Sequence, residues 1–204
     1  MVNHMWTKLA LTGILITGMA AAETLNVDTD KSNINWVGRK VTGMHEGRIQ
    51  LQSGSVEFDD DRLVSGVMIM DMSSIVVDDI TNKAMNKRLQ NHLESDDFFG
   101  VDNHPTARFE ITEAELVRRD GKRGLYEVQG GLTIKGITKS YKMEVWIARG
   151  EAAASAEGMV QIDRTDFDIR YKSAKFFPGM GDRAIEDLFD IRFELMTEVE
   201  GRNS

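Results

Sequence analysis

From residue 23 onward the apolar positions recur mainly at every second residue, the period of strands with one buried and one wet face. In "YEVQGGLTIKGITKSYKMEVWIARG", Tyr126, Val128, Leu132 and Ile134 alternate with Glu127, Gln129, Thr133 and Lys135. Tyr141, Met143, Val145 and Ile147 then resume the pattern, with a turn predicted over 136–139. Ala107, Phe109 and Ile111 share one face, as do Phe189, Ile191, Phe193, Leu195 and Val199. Similar runs at 34–41, 49–51, 56–58, 64–72 and 159–169 bring the total to about eight or nine strands. The chain is therefore all-β, and antiparallel strands with single apolar faces must close into a barrel or stack as a sandwich.

One segment departs from this period. In "TNKAMNKRLQNHL", 81–93, Met85, Leu89 and Leu93 fall at helical spacing with Lys83, Lys87 and Arg88 elsewhere, which predicts a helix covering an opening or an edge of the sheet. No repeat or linker interrupts the chain. The first residues differ in kind: "MVNHMWTKLALTGILITGMAAAE" places Lys8 before an apolar run from Leu9 to Met19 and ends it with small residues. That order predicts a signal peptide over 1–22, cleaved after Ala22, and one domain over 23–204. The run is shorter than the roughly 20 residues that span a bilayer, so no transmembrane segment is expected in the mature chain. Export to the periplasm follows as an expectation.

Of 204 residues, 41% are hydrophobic and 28% charged, enough for one sizeable core. A net charge of −8 with no basic block offers nothing to neutralise phosphates, so nucleic acid is not an expected partner. The chain has no cysteine, which excludes disulfides, thiol nucleophiles and thiolate metal sites.

The polar motifs fail as sites when their spacing is checked. His45-Glu46 begins like H-E-x-x-H, but Ile49 stands where the second histidine is needed. "DTDKSN" at 28–33 starts like a calcium loop, yet it has Asn33 at the glycine position and Arg39 at the bidentate glutamate position. "GMGDRA", 179–184, fits a dinucleotide fingerprint by letter but follows no strand. Asp163, Asp166 and Asp168 are candidates for an acid/base pair, but Asp163 and Asp166 read instead as satisfying turn amides or Arg164. His45, His92 and His104 would have to converge in space to hold a metal, and lone histidines beside turns are more often structural corners. "HLESDDFFGVDNHPTARFEI" reads as such a corner: a helix ends near Leu93, Phe98 and Phe99 tuck beneath the barrel, and Pro105 starts a strand. Met68, Met70 and Met72 at strand spacing make a deformable apolar wall.

Four blocks, "WVGRKVTGMHEGRIQLQSGSVEF", "HLESDDFFGVDNHPTARFEI", "GGLTIKGITKSYKMEV" and "IDRTDFDIRYKSAKFFPGMGDRAIEDLFDI", together resemble the YceI-like family of exported, lipocalin-like, polyisoprenoid-binding proteins. Many relatives have an Arg-Asp pair shortly before the His-Leu; Leu89-Gln90-Asn91 stands there instead, so no role of that pair is carried over. The resemblance implies an eight-stranded antiparallel barrel with a helix packed near one end and a long-chain isoprenoid inside. Taking the apolar side of each alternation as inward, the expected ligand-binding wall is Trp36, Met68, Met70, Met72, Phe109, Ile111, Val128, Leu132, Ile134, Met143, Val145, Ile162, Ile191 and Phe193. Lys40 and His45 are expected at a polar ligand head. The expected activity is sequestration or carriage of the lipid, without catalysis, metal or cofactor, and a homodimer is left open. A lipid-modifying enzyme would need a polar group deep in the barrel, and a metal- or stress-related binding protein would need the histidines together.

Overall fold

The computed structural model describes residues 22–198. The predicted signal peptide lies outside them apart from Ala22, as does Val199. Nine strands follow in chain order: β1 (Glu23–Asn26), β2 (Asn33–Lys40), β3 (Gly43–Asp59), β4 (Arg62–Val77), β5 (Thr106–Asp120), β6 (Arg123–Ile134), β7 (Ile137–Arg149), β8 (Ala154–Asp163) and β9 (Ile185–Met196). Helix α1 (Lys83–Glu94) joins β4 to β5. All neighbouring pairs are antiparallel, and the order β3-β2-β9-β8-β7-β6-β5-β4 closes through a β3–β4 pairing into an eight-stranded barrel. Closure leaves the eight strands without a free edge, while β1 adds only to the last part of β3, Glu23 opposite Phe58.

The single strand β3 replaces the two pieces expected at 49–51 and 56–58. Its register against β4 shifts between Leu51 and Ser53, so Ile49 and Leu51 are buried at odd positions and Phe58 at an even one. A bulge inserts one residue, and the alternation changes phase at that point. A second irregularity sits opposite, where β4 passes from Met72 to Ile75: Ser73 N–H donates to Asp71 Oδ1 (2.9 Å), and Gln50 N–H donates to Ser74 Oγ (2.8 Å). Side chains there replace ladder bonds that the bulge removes.

Two turns also fall away from their expected places. β6 and β7 are joined by Lys135 and Gly136 alone, both at positive φ, with Ile134 opposite Ile137. Positive φ at both central positions gives the tight turn whose twist matches the strands. β8 stops at Asp163, whose side chain caps a short 3₁₀ turn over Arg164–Phe167, so 164–169 is not strand. Helix α1 starts where Asn82 accepts from the Ala84 and Met85 amides at 3.1 Å each, and it buries Leu93 against the barrel.

The connections sort into two ends. The β2–β3 hairpin, the α1 connection, the Lys135-Gly136 turn and the long β8–β9 loop share one end, the helical end. The far end is closed by β1 and by a cluster of Leu25, Phe58, Leu63, Tyr126, Ile147 and Ala154. Tyr126 donates to the Asp61 carbonyl there (3.0 Å), fixing the β3–β4 turn.

Candidate ligand-binding cavity

A cavity of about 250 Å³ runs inside the barrel, and every one of the eight barrel strands contributes to its wall. All fourteen residues named from the alternation line it: Trp36, Met68, Met70, Met72, Phe109, Ile111, Val128, Leu132, Ile134, Met143, Val145, Ile162, Ile191 and Phe193. Inward orientation follows directly from period two in each strand segment between bulges. Ile34, Ile49, Leu51, Phe189 and Leu195 are among the further strand residues in the wall, while Leu93, Phe98 and Phe99 roof it from the α1 connection.

Three aromatic residues of the wall pack over glycines on neighbouring strands. A Cβ built at Gly158 would come within 2.6 Å of the Phe193 ring, one at Gly130 within 2.5 Å of Phe109, and one at Gly47 within 2.8 Å of Trp36. In the register, Trp36 pairs with Gly47 and Phe193 with Gly158. Glycine carries no side chain to pack, so a ring from the next strand fills the place and leaves the lumen clear. These glycines escape the sequence reading, since only the strand register shows which glycine faces which ring.

Besides Glu186, the helical end of the cavity has two polar side chains, Arg164 and Tyr141, and both are already partnered. Arg164, 4% exposed, donates to the carbonyls of Ile169 (2.9 Å), Tyr171 (2.9 Å), Glu186 (3.0 Å) and Ile185 (3.1 Å), and pairs with Asp187 at 3.1 Å. Burial lowers its pKa, opposed by the charges of Asp187 and Asp163. Tyr141 donates to Asp166 (3.0 Å) and accepts from the Asp163 amide (3.1 Å). Burial, reinforced by the Asp166 hydrogen bond, pushes the Tyr141 phenol up, so it stays neutral. The single buried side-chain nitrogen or oxygen without a partner, among the described residues, is Arg149 Nη1 on β7 near the far end, outside the cavity wall. Asp163, Asp166 and Asp168 thus serve a cap, a tyrosine and Arg170 (2.6 Å), and the partner of Arg164 is Asp187.

Neither Lys40 nor His45 belongs to the wall. Lys40 is exposed at the tip of β2 opposite Gly43, and His45 Nδ1 lies 2.8 Å from Asp79 Oδ2. Burial pushes the Asp79 carboxyl up, but hydrogen bonds from His45 and the Glu46 amide outweigh it and hold the group below its ordinary value. His92 lies elsewhere, 3.2 Å from Asp97 and edge-on to Phe98 and Tyr171 with ring centroids 4.9 and 4.6 Å apart. The contact ties the α1 connection to the β8–β9 loop. Among the described residues no group of three or more His, Cys, Asp and Glu gathers as a metal site would require.

A family model described as YceI-like domain matches residues 25–197. The chain belongs to the YceI-like family. A UPF0312 protein of Pectobacterium carotovorum is 36% identical over 86 residues, 38% of this chain and 41% of the relative. One from Pseudomonas aeruginosa is 31% identical over 130 residues, 61% and 63% of the two chains. The chain thus covers less than two thirds of these relatives' length. Among solved structures, Burkholderia cenocepacia BcnA superposes with a TM-score of 0.63 at 22% identity, covering 84% of this chain and 99% of that one. A polyisoprenoid binding domain from Saccharophagus degradans, implicated in plant cell wall breakdown, gives 0.62 at 14% identity over 85% and 97% of the two chains. These identities establish the shared fold of the YceI-like barrel and its neighbours, and the cavity's chemistry stands on its own residues.

Proposed function

We propose that the YceI-like barrel sequesters or carries a long-chain isoprenoid lipid, after export to the periplasm on the signal peptide read at 1–22. The observation that carries the proposal is the apolar cavity, walled by all eight strands, with Leu93, Phe98 and Phe99 at its helical end and the Leu25, Phe58 and Leu63 cluster at its far end. At about 250 Å³ it exceeds the ~150 Å³ of an engineered apolar cavity that stays dry and admits benzene. Each CH₂ moved from water into such a wall contributes about 0.8 kcal/mol, so a chain of several isoprene units needs few polar contacts to bind tightly. Met68, Met70 and Met72 are flexible thioether side chains that can move aside and widen the lumen for a longer chain. The Arg164 and Tyr141 donors in this wall are committed to protein acceptors. The solved Saccharophagus degradans neighbour is itself described as a polyisoprenoid binding domain, which supports the class of cargo.

Native mass spectrometry of the protein purified from its own host, followed by solvent extraction, tests the reading directly. A stoichiometric polyprenyl chain or quinone is expected. Polar substitutions Met70→Gln and Val145→Asn should each weaken retention about tenfold or more, since an unsatisfied amide in an apolar site costs about 1–3 kcal/mol. Full retention by both correctly folded variants would overturn the assignment of the wall.

A further inference from the structure

The β8–β9 loop combines two features that the cavity does not use. Phe176 and Phe177 are 37% and 49% exposed, although large aromatic residues normally contribute to a core. Around them, residues 170–183 hold Arg170, Lys172, Lys175 and Arg183 against the single acid Asp182, in a chain whose net charge is −8. Arg170 pairs with Asp168, whereas Lys172, Lys175 and Arg183 form no ion pair among the described residues. Of the nearby acids, Asp166 is engaged by Tyr141 and Asp187 by Arg164 and Ser173, which leaves exposed Asp182 and Glu186 against the three unpaired cations.

The exposure is built into the fold. Ser173 is fully buried and donates to Asp187 Oδ2 (3.0 Å), and its carbonyl accepts from the amides of Phe176 (3.2 Å) and Phe177 (2.9 Å). Ile185 N–H donates back to the Lys172 carbonyl (3.0 Å), and Arg164 holds the loop's base through the Ile169 and Tyr171 carbonyls. The turn is thus pinned from inside while its two phenylalanines point outward. Arg170 lies 4.7 Å and Lys175 5.8 Å from the Phe176 ring centre, so cations flank an aromatic group that would otherwise meet water alone. The β2–β3 hairpin at the same end adds exposed Lys40, Val41 and Met44 next to where β9 begins, Lys40 being paired with Ile185.

Aromatic rings beside basic side chains match a membrane interface, where rings settle at headgroup depth and cations meet anionic lipid. We propose that this end of the barrel docks on an anionic lipid bilayer, with Phe176 and Phe177 inserted and Lys172, Lys175 and Arg183 facing the headgroups. This deepens the lipid-carrier reading and rests on it: the docked end is the one roofed by the loop and the α1 connection, where a chain could pass between bilayer and lumen. The overall negative charge does not oppose docking, because charges beyond about 8 Å are screened at physiological ionic strength.

The test is flotation of the mature protein with vesicles of phosphatidylcholine alone and of phosphatidylcholine with about 30% phosphatidylglycerol. Wild type should float with the anionic vesicles and lose most of that binding at high salt. Each of Lys172→Glu and Lys175→Glu should reduce binding at least about fivefold, and Phe176→Ser/Phe177→Ser should abolish it. Val117→Ser, which removes an exposed apolar side chain on β5 at the far end, should leave it unchanged. In parallel, uptake of a fluorescent polyprenyl analogue is measured without vesicles; the Phe176/Phe177 pair lies outside the cavity wall, so uptake should persist in that variant. Wild type that takes up the analogue but ignores anionic vesicles, or a Phe176→Ser/Phe177→Ser protein that floats like wild type, would overturn docking alone. Loss of analogue uptake by wild type would instead strike the carrier reading.

Discussion

Gly130 faces inward on β6, where an added Cβ would meet the Glu110 carbonyl and the Phe109 ring, both at 2.5 Å. Backbone cannot yield to such a contact, so Gly130→Ala must swing Phe109 into the lumen or open the β5–β6 pair. Overpacking of this kind costs about 1–3 kcal/mol, and here it should also reduce cargo capacity. Gly38→Ala, with nothing within 4 Å of the new Cβ, is the matched control and should cost little in a urea titration. On the outer face, Asp190 is 7% exposed and sits 2.7 Å from Arg39 and 3.1 Å from the Gln161 amide nitrogen. Burial pushes its carboxyl up, yet Arg39 and Gln161 outweigh burial and hold it below the ordinary value. A depressed folded pKa means the stabilisation is complete above the unfolded value, about 3.9, and is lost as pH falls through the lower folded value. Asp190→Asn should therefore lower stability at neutral pH and flatten the acid limb of an unfolding profile below about pH 4. At this scale the inward residues were legible because period two reports facing without any structure. The glycine recesses were not, since they depend on which strands pair and in what register.

Strands and helix were legible where one pattern ran unbroken, as in β6, β7 and α1. They were misplaced where local backbone geometry overrode it: the bulge divides β3 into two phases, and the Lys135-Gly136 turn is tighter than the predicted 136–139. The end of β8 shows the same limit. Apolar Phe167 and Ile169 stand past Asp163 at odd positions, out of phase with inward Val160 and Ile162, and they reach the core from a 3₁₀ turn organised by Arg164 and from just beyond it. That arginine is the keystone of the β8–β9 loop, satisfying four carbonyls and Asp187 in one buried fork. Arg164→Met would leave those acceptors unpaired and the Asp187 charge uncompensated, a loss of about 3 kcal/mol or more. Lysine should not rescue it, because a single ammonium cannot reproduce the planar fork. Urea midpoints of the three proteins provide the comparison, and a methionine variant as stable as wild type would show that the loop is held by its apolar contacts instead.

For the molecule as a whole, the interior and the helical end obey different physics, and salt separates them. The lumen is apolar along its length, with its Arg164 and Tyr141 groups bound to protein partners, so cargo affinity should come from surface removed from water. The cation-bearing loop should act only through charge at the surface and fade with ionic strength. A cargo analogue present at 100 times its Kd adds about 2.7 kcal/mol to folding stability, which for a domain of this size raises Tm by roughly 5–10 °C. That rise should survive transfer from low salt to about 1 M salt, where the screening length is only about 3 Å. Thermal melts with and without the analogue at both salt concentrations would measure it. A shift that collapses in high salt would mean that an ionic head-group contact, and not the fourteen-residue wall, holds the cargo, and it would return Lys40 or His45 to the binding site. A shift preserved in salt, together with vesicle flotation that is lost, would assign cargo to the lumen and the bilayer to the β8–β9 loop.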